Sequence, residues 1–181
     1  PYLSLLIWLP LAAALVLMLV GRDNRSVPRT LATVVMAAQL LLVLSLWLNF
    51  QPTADFQFVE RIDLLPSTGA SYLLGLDGVS LTLVALTAVT GLVAVIASYA
   101  IQERVRDFFL YVMLLQAGTM GVFLALDYLL FFVFWELVLV PMYFLIGIWG
   151  GPRREYAAIK FFLYTLLGGV LMLIAMPMFY F

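Results

Sequence analysis

The stretch Leu129-Leu-Phe-Phe-Val-Phe-Trp-Glu-Leu-Val-Leu-Val-Pro-Met-Tyr-Phe-Leu-Ile146 carries one charge, Glu136, in an otherwise apolar run. About 20 mostly apolar residues span the hydrocarbon core of a bilayer as a helix, in which backbone donors and acceptors satisfy one another. Read on to Trp149, the stretch is one such helix. Working outward, five more segments have the same character: Leu3–Val20, Leu31–Phe50, Gly78–Ile101, Phe108–Leu126 and Tyr156–Phe181. The whole chain agrees. Of 181 residues, 66% are hydrophobic and 10% charged, with a mean hydropathy of +1.14. A soluble domain has about 45–50% apolar and about 25% charged residues. The expected fold class is an all-α integral membrane protein with six transmembrane helices.

Composition excludes several kinds of chemistry. There is no His and no Cys. The chain therefore offers no disulfide and no thiolate or imidazole ligand for zinc, haem or an iron–sulfur cluster. Nine basic residues against ten acidic ones leave a net charge of −1, and no basic patch for nucleic acid. No phosphate-binding glycine loop, nucleophile elbow or metal motif is present. Chemistry here must run on Asp, Glu, Lys, Arg, Tyr, Ser, Thr and the backbone.

The connections between segments hold most of the charge. Arg22, Arg25 and Arg29 lie in the first, Arg104 and Arg106 in the third, Arg153 and Arg154 in the fifth, and only Arg61 on the opposite side. The positive-inside rule predicts cytoplasmic odd connections and an extracytoplasmic N-terminus. Residues 1–50 then form two helices, 51–76 an extracytoplasmic connection, and 77–181 four more helices. The connection sets Asp55, Glu60 and Asp63 among Phe56, Phe58, Val59, Ile62 and Leu64, bounded by two prolines and a Ser-Thr-Gly run. Aromatics at two-residue spacing favour a short hairpin on the membrane surface over a floppy loop. Only Asp127 and Tyr128 separate the fourth and fifth helices, which predicts tight antiparallel neighbours. Gly118, Gly121, Gly168 and Gly169 are either points of close helix approach or ordinary membrane glycines. The chain starts at Pro1 without a basic n-region, so a cleaved signal peptide is not expected. It stops at Phe181 within an apolar run and reads as part of a longer protein.

Two ionisable residues fall inside the apolar segments. A charge at bilayer depth costs at least ~2.5–3.5 kcal/mol, and such residues mark ion or proton paths. Glu136 is the first candidate for a proton relay; the competing reading is a neutral carboxyl hydrogen-bonded to a neighbouring helix. Pro141 has no N–H, which frees the Leu137 carbonyl beside Glu136 and predicts a kink. Lys160 is the second candidate. With the sixth helix beginning at Tyr156 it is only ~6 Å in. It either snorkels to the cytoplasmic face or joins a charged relay. Tyr164 shares its face. Glu136 is roughly 20 Å from the cytoplasmic end of its own helix, so no direct ion pair with Lys160 is expected. Asp77 reads as the N-cap of the third helix. Gln116 and Thr119 read as polar glue between helices, ahead of a hydrated path.

Several motifs together resemble a known family. Phe131-Phe-Val-Phe-Trp-Glu-Leu-Val-Leu-Val-Pro-Met-Tyr-Phe-Leu-Ile, Leu76-Asp-Gly-Val-Ser-Leu, Gly147-Ile-Trp-Gly-Gly-Pro-Arg-Arg and Lys160-Phe-Phe-Leu-Tyr-Thr are similar to chain M (subunit 4) of proton-translocating NADH:quinone oxidoreductase, respiratory complex I. The phrasing is most like the bacterial enzymes. The resemblance implies an antiporter-like bundle of about fourteen helices with two inverted five-helix repeats. This chain would be its N-terminal part, its last three helices beginning the first repeat. The essential fifth-helix glutamate of the family falls on Glu136 and a sixth-helix lysine on Lys160. The resemblance also implies a translocase subunit of the bacterial inner membrane, with no redox chemistry and no cofactor in this chain. NADH, flavin, iron–sulfur clusters and quinone would sit in partner subunits. Other membrane subunits, especially neighbouring antiporter-like ones, and lipid would surround it. The alternative is a subunit of a multisubunit cation/proton antiporter of the same superfamily; a third reading is a bundle that only scaffolds a complex.

Overall fold

Hydropathy marks where a chain meets hydrocarbon, and helical hydrogen bonding can run on beyond that point. The computed structural model describes residues 1–53, 55–65 and 70–180. The order is α1 (Tyr2–Leu19), α2 (Ser26–Asn49), β1 (Gln57–Leu65), β2 (Ala70–Leu76), α3 (Gly78–Ala97), α4 (Val105–Leu124), α5 (Tyr128–Trp149) and α6 (Arg154–Tyr180). All six helices are long and apolar enough to cross a membrane, and the protein is a multi-pass membrane protein. At the arginine-rich end α2, α4 and α6 begin earlier than their apolar runs, because Ser26–Thr30, Val105–Asp107 and Arg154–Glu155 continue the helix into polar surroundings. α3 stops short of Ile101, giving way to a 3₁₀ turn at Ser98–Ala100. The Pro-Ser-Thr-Gly run at 66–69 and the terminal Phe181 lie outside the described residues.

α1 packs on α2 and α4, and α3 closes the group against α2 and α4; α5 leans on α4, and α6 on α5. The interior of α1–α4 has two apolar layers. One includes Leu6, Val43, Val84 and Met120. The other includes Leu17, Met36, Val95 and Met113. Two glycines set the α4–α5 seam. A Cβ at Gly118 would lie 2.7 Å from Val138 Cγ2, and one at Gly121 would fall on the Phe134 ring. Small residues let backbones approach this closely where lipid supplies no hydrophobic drive.

β1 and β2 pair antiparallel, with Glu60 opposite Leu74 and Ile62 opposite Tyr72. A register shift between Gln57 and Glu60, with Phe58 at φ 54°, breaks the alternation as a bulge does. The hairpin rests on α1 and α4, and Leu74 and Leu76 are fully buried there. The Leu126 N–H donates to Leu73 O at 2.9 Å, tying β2 to the α4–α5 connection.

The two ends of the bundle are capped by opposite charges. The Glu60 carboxylate accepts from Leu3 N at 2.8 Å, from Ser4 N at 3.2 Å and from the Ser4 hydroxyl, at the start of α1. Asp77 Oδ1 accepts from Ser80 N at 2.7 Å, at the start of α3. Asp127 Oδ1 accepts from Leu129 N and Leu130 N at 2.9 and 3.0 Å, and its Oδ2 from Ser71 N, at the start of α5. At the other end Arg106 donates to Val20 O, Arg29 to Ile101 O and Arg154 to Ile148 O, just beyond or within the ends of the same three helices. Carboxylates meet the positive ends of the helix dipoles and guanidinium groups the negative ends. The Ser80 N–H holds the Asp77 carboxyl below its ordinary value, against a weaker opposing effect of desolvation.

Candidate functional site in α5 and α6

Glu136 stands eight residues into α5, about 12 Å from its start at 1.5 Å per residue. α5 runs unbroken through Pro141, which is buried. The Glu136 side chain turns toward α6 and meets Gly169. The position a Cβ would take at Gly169 is occupied by Glu136 Oε1, with Cδ 3.4 Å away. That oxygen is buried and has no hydrogen-bond partner among the described residues. A buried, unpaired carboxyl oxygen is rare in folded proteins, because it loses hydration without compensation. Among the described residues the arrangement commits this acceptor to no other group.

Lys160 lies elsewhere. α6 begins at Arg154, so Lys160 is about 9 Å in, deeper than a start at Tyr156 implies. It is exposed, with Nζ 5.7 Å from the centre of the Tyr156 ring. Along with Arg153, Tyr164 and Thr165 it lines an open groove at the arginine-rich end. Nine residues separate it from Gly169, about 13–14 Å of helix. The ion pairs among the described residues involve neither Glu136 nor Lys160. The fold therefore keeps the two candidates apart.

The other polar groups at depth form a separate cluster. Gln116 donates to Gln39 Oε1 at 2.9 Å and to Thr87 O at 3.3 Å, while Gln39 donates to Leu6 O. These bonds tie α1, α2, α3 and α4 together between the two apolar layers. Gly91 makes room for the Gln116 amide. Gln116 is thus helix glue, as its sequence position suggests. Thr119 is not: its hydroxyl bonds back to Leu115 O within α4, the usual fate of a mid-helix threonine. Sequence reasoning missed Gln39, although one amide in the apolar run Val34–Leu48 was visible. Of the two readings open for Gly168, the ordinary membrane glycine fits: among the described residues a Cβ there meets nothing within 4 Å, whereas one at Gly169 meets Glu136.

Residues 125–181, the α5–α6 part, match the transmembrane family described as NADH:quinone oxidoreductase/Mrp antiporter. Over these residues the chain is similar to this antiporter-like family. Among relatives of the family, it is 41% identical over 177 residues to NAD(P)H-quinone oxidoreductase chain 4 1 of Synechococcus elongatus, covering 97% of this chain and 33% of that protein. It is 42% identical over 186 residues to NADH-quinone oxidoreductase subunit M of Rhodobacter capsulatus, covering 98% and 35%. This antiporter-like chain thus spans about a third of the length of these relatives. A chain in the structure of respiratory complex I from Thermus thermophilus with bound NADH aligns with a TM-score of 0.81 at 28% identity, over 96% of this chain and 34% of that one. A chain of the Mrp complex from Dietzia shares the fold, with a TM-score of 0.78 at 24% identity, over 96% and 19%.

Proposed function

We propose that the protein is part of a proton-translocating membrane subunit of an NADH:quinone oxidoreductase, and that Glu136 is a proton carrier in it. The observation that carries this reading is the Glu136 carboxyl at bilayer depth, with Oε1 buried and unpartnered among the described residues. A relay needs a group that takes up and gives up a proton within reach of a water or a neighbouring group. A permanently hydrogen-bonded structural carboxyl would have its partner in place. The relatives named chain 4 and subunit M favour this reading over a cation/proton antiporter. Lys160 is a second, surface-near element of the same path. On this reading flavin, iron–sulfur clusters and quinone belong to partner subunits; this stretch, without Cys or His, offers no thiolate or imidazole ligand for an iron–sulfur cluster.

The arginine distribution supports a cytoplasmic location for the end bearing Arg22, Arg104 and Arg153, and an extracytoplasmic hairpin and N-terminus; the likeness to bacterial relatives favours a bacterial inner membrane as the setting. A cysteine introduced at 153 in this cysteine-free chain is then protected from an impermeant thiol reagent applied to intact cells; labelling there would reverse the topology.

The experiment is NADH-driven proton uptake in membrane vesicles carrying the full-length subunit in its assembled complex. Glu136→Gln stops pumping and leaves assembly intact, because Gln keeps the volume and cannot ionise. Glu136→Asp retains part of the activity. Wild-type pumping by a fully assembled Glu136→Gln enzyme would end the relay reading. Flavin and iron–sulfur absorbance co-purifying with the subunit distinguishes the oxidoreductase from an antiporter, which lacks both.

A further inference from the structure

We propose that Gly169 is a positioning residue for Glu136: its missing side chain is the niche on α6 that seats the carboxyl. The inference rests on the reading of Glu136 as a proton carrier and adds a second residue to it. Glycine is, after proline, the poorest helix former, so a glycine buried in mid-helix calls for a packing reason. α6 has two adjacent glycines and they differ. Gly168 is exposed and Gly169 is buried. Among the described residues a Cβ at 168 meets nothing within 4 Å, whereas one at 169 occupies the place of Glu136 Oε1. The same oxygen is buried and finds no partner among the described residues. One helix thus gives up a side chain where the facing helix places an unpaired acid.

The overlap has a specific consequence. The atom that must yield to a methyl group at 169 is the far end of a flexible side chain, not backbone. Rotation of Glu136 relieves it at little cost to the fold. Alanine at 169 therefore assembles and displaces the carboxyl. Proton transfer needs heavy atoms about 2.6–3.2 Å apart, directly or through one water. A misplacement of about 1 Å can cost ~100-fold in rate. The glycine acts through Glu136 and takes no proton itself.

The test uses the full-length subunit in its assembled complex in membrane vesicles, with Gly168→Ala, Gly169→Ala, Glu136→Gln and the double variant Gly169→Ala/Glu136→Asp. Two quantities are read: proton pumping against pH, and the rate at which a hydrophobic carbodiimide modifies Glu136, followed by peptide mass spectrometry. Gly169→Ala is expected to lower pumping by about tenfold or more, to move the midpoint of its pH profile and to change the rate of modification. Gly168→Ala should match the wild type in each. Aspartate at 136, one methylene shorter, clears the added methyl and should restore part of the pumping lost in Gly169→Ala. A Gly169→Ala enzyme with wild-type pH profile and wild-type modification rate overturns the proposal. So does equal loss in both alanine variants without recovery by Asp. Should Gly169→Ala fail to assemble, the double variant decides: regained assembly supports the niche, and continued failure overturns it. If Glu136→Gln pumps normally the relay reading falls, while the contrast in carbodiimide modification between 168 and 169 still judges the niche.

Discussion

At mid-membrane depth, α1–α4 and α5–α6 treat polar side chains in opposite ways. In the first region Gln39 and Gln116 are buried, neutral and bonded to each other and to the Leu6 and Thr87 carbonyls. In the second the inward polar group is a carboxyl with an unpartnered buried oxygen among the described residues. Half of the apolar window of α4 is buried within the chain, against 11% of that of α6. Among the described residues α6 packs chiefly on α5, along the face that carries Glu136 and Gly169. A satisfied amide fixes helices in register. An unsatisfied acid holds capacity in reserve. Scaffold and site in this molecule differ less in polarity than in whether the polarity is used up.

That contrast breaks most sharply at Glu136. Removing an acid–base group from a proton path costs about 10²-fold or more, so Glu136→Gln should lower pumping by at least that factor while thermal stability is kept. Lys160→Met should cost less, because Lys160 is exposed above the Tyr156 ring and, on the proposed reading, bears on the path by charge placement alone. Equal losses in assembled enzymes would make the two residues partners and undo the ranking.

The amide cluster should show the reverse pattern. Gln116→Leu strips Gln39 Oε1 of its donor and should destabilise the purified full-length subunit by about 1–2 kcal/mol, with pumping per assembled enzyme unchanged. Gln39→Leu/Gln116→Leu should cost less than the sum of the two single changes, since it leaves neither amide stranded. Unfolding curves for the four proteins give the coupling. Additive losses would mean that the two side chains act independently.

The smallest expected effect lies at the cap of α3. Asp77→Ala should cost about 1 kcal/mol. The folded value of this carboxyl is depressed. Its contribution is therefore fully present above the unfolded value near 3.9, and is lost as pH falls through the folded value. The stability gap between wild type and Asp77→Ala should narrow below about pH 4. A constant gap between pH 3 and pH 6 would show that the carboxylate charge is not what caps the helix.

Much of this was legible in the chain. Six apolar runs announced six helices, because a bilayer demands length and apolarity together. Asp77 announced a cap, since capping is local. Glu136 announced a buried acid by its isolation. What stayed hidden depends on helix phase and on distant pairing. Gly168 and Gly169 are chemically identical, and only the rotation of α6 against α5 separates them. Gln39 and Gln116 are 77 positions apart, and no local pattern shows that they meet. The early starts of α2, α4 and α6 were hidden for another reason: the residues that extend them are polar, and hydropathy is blind to helix outside lipid.

The Glu60 cap on α1 has a consequence in time. Leu3 precedes its hydrogen-bond acceptor by 57 residues. At about 5–20 residues per second of synthesis, roughly 3–11 s separate the two on the ribosome. α1 must therefore be made, and must wait with its first N–H groups bonded to water, before the acid that finishes it exists. The hairpin is a late-arriving latch: until β1 emerges, α1 is the helix whose end is still undone.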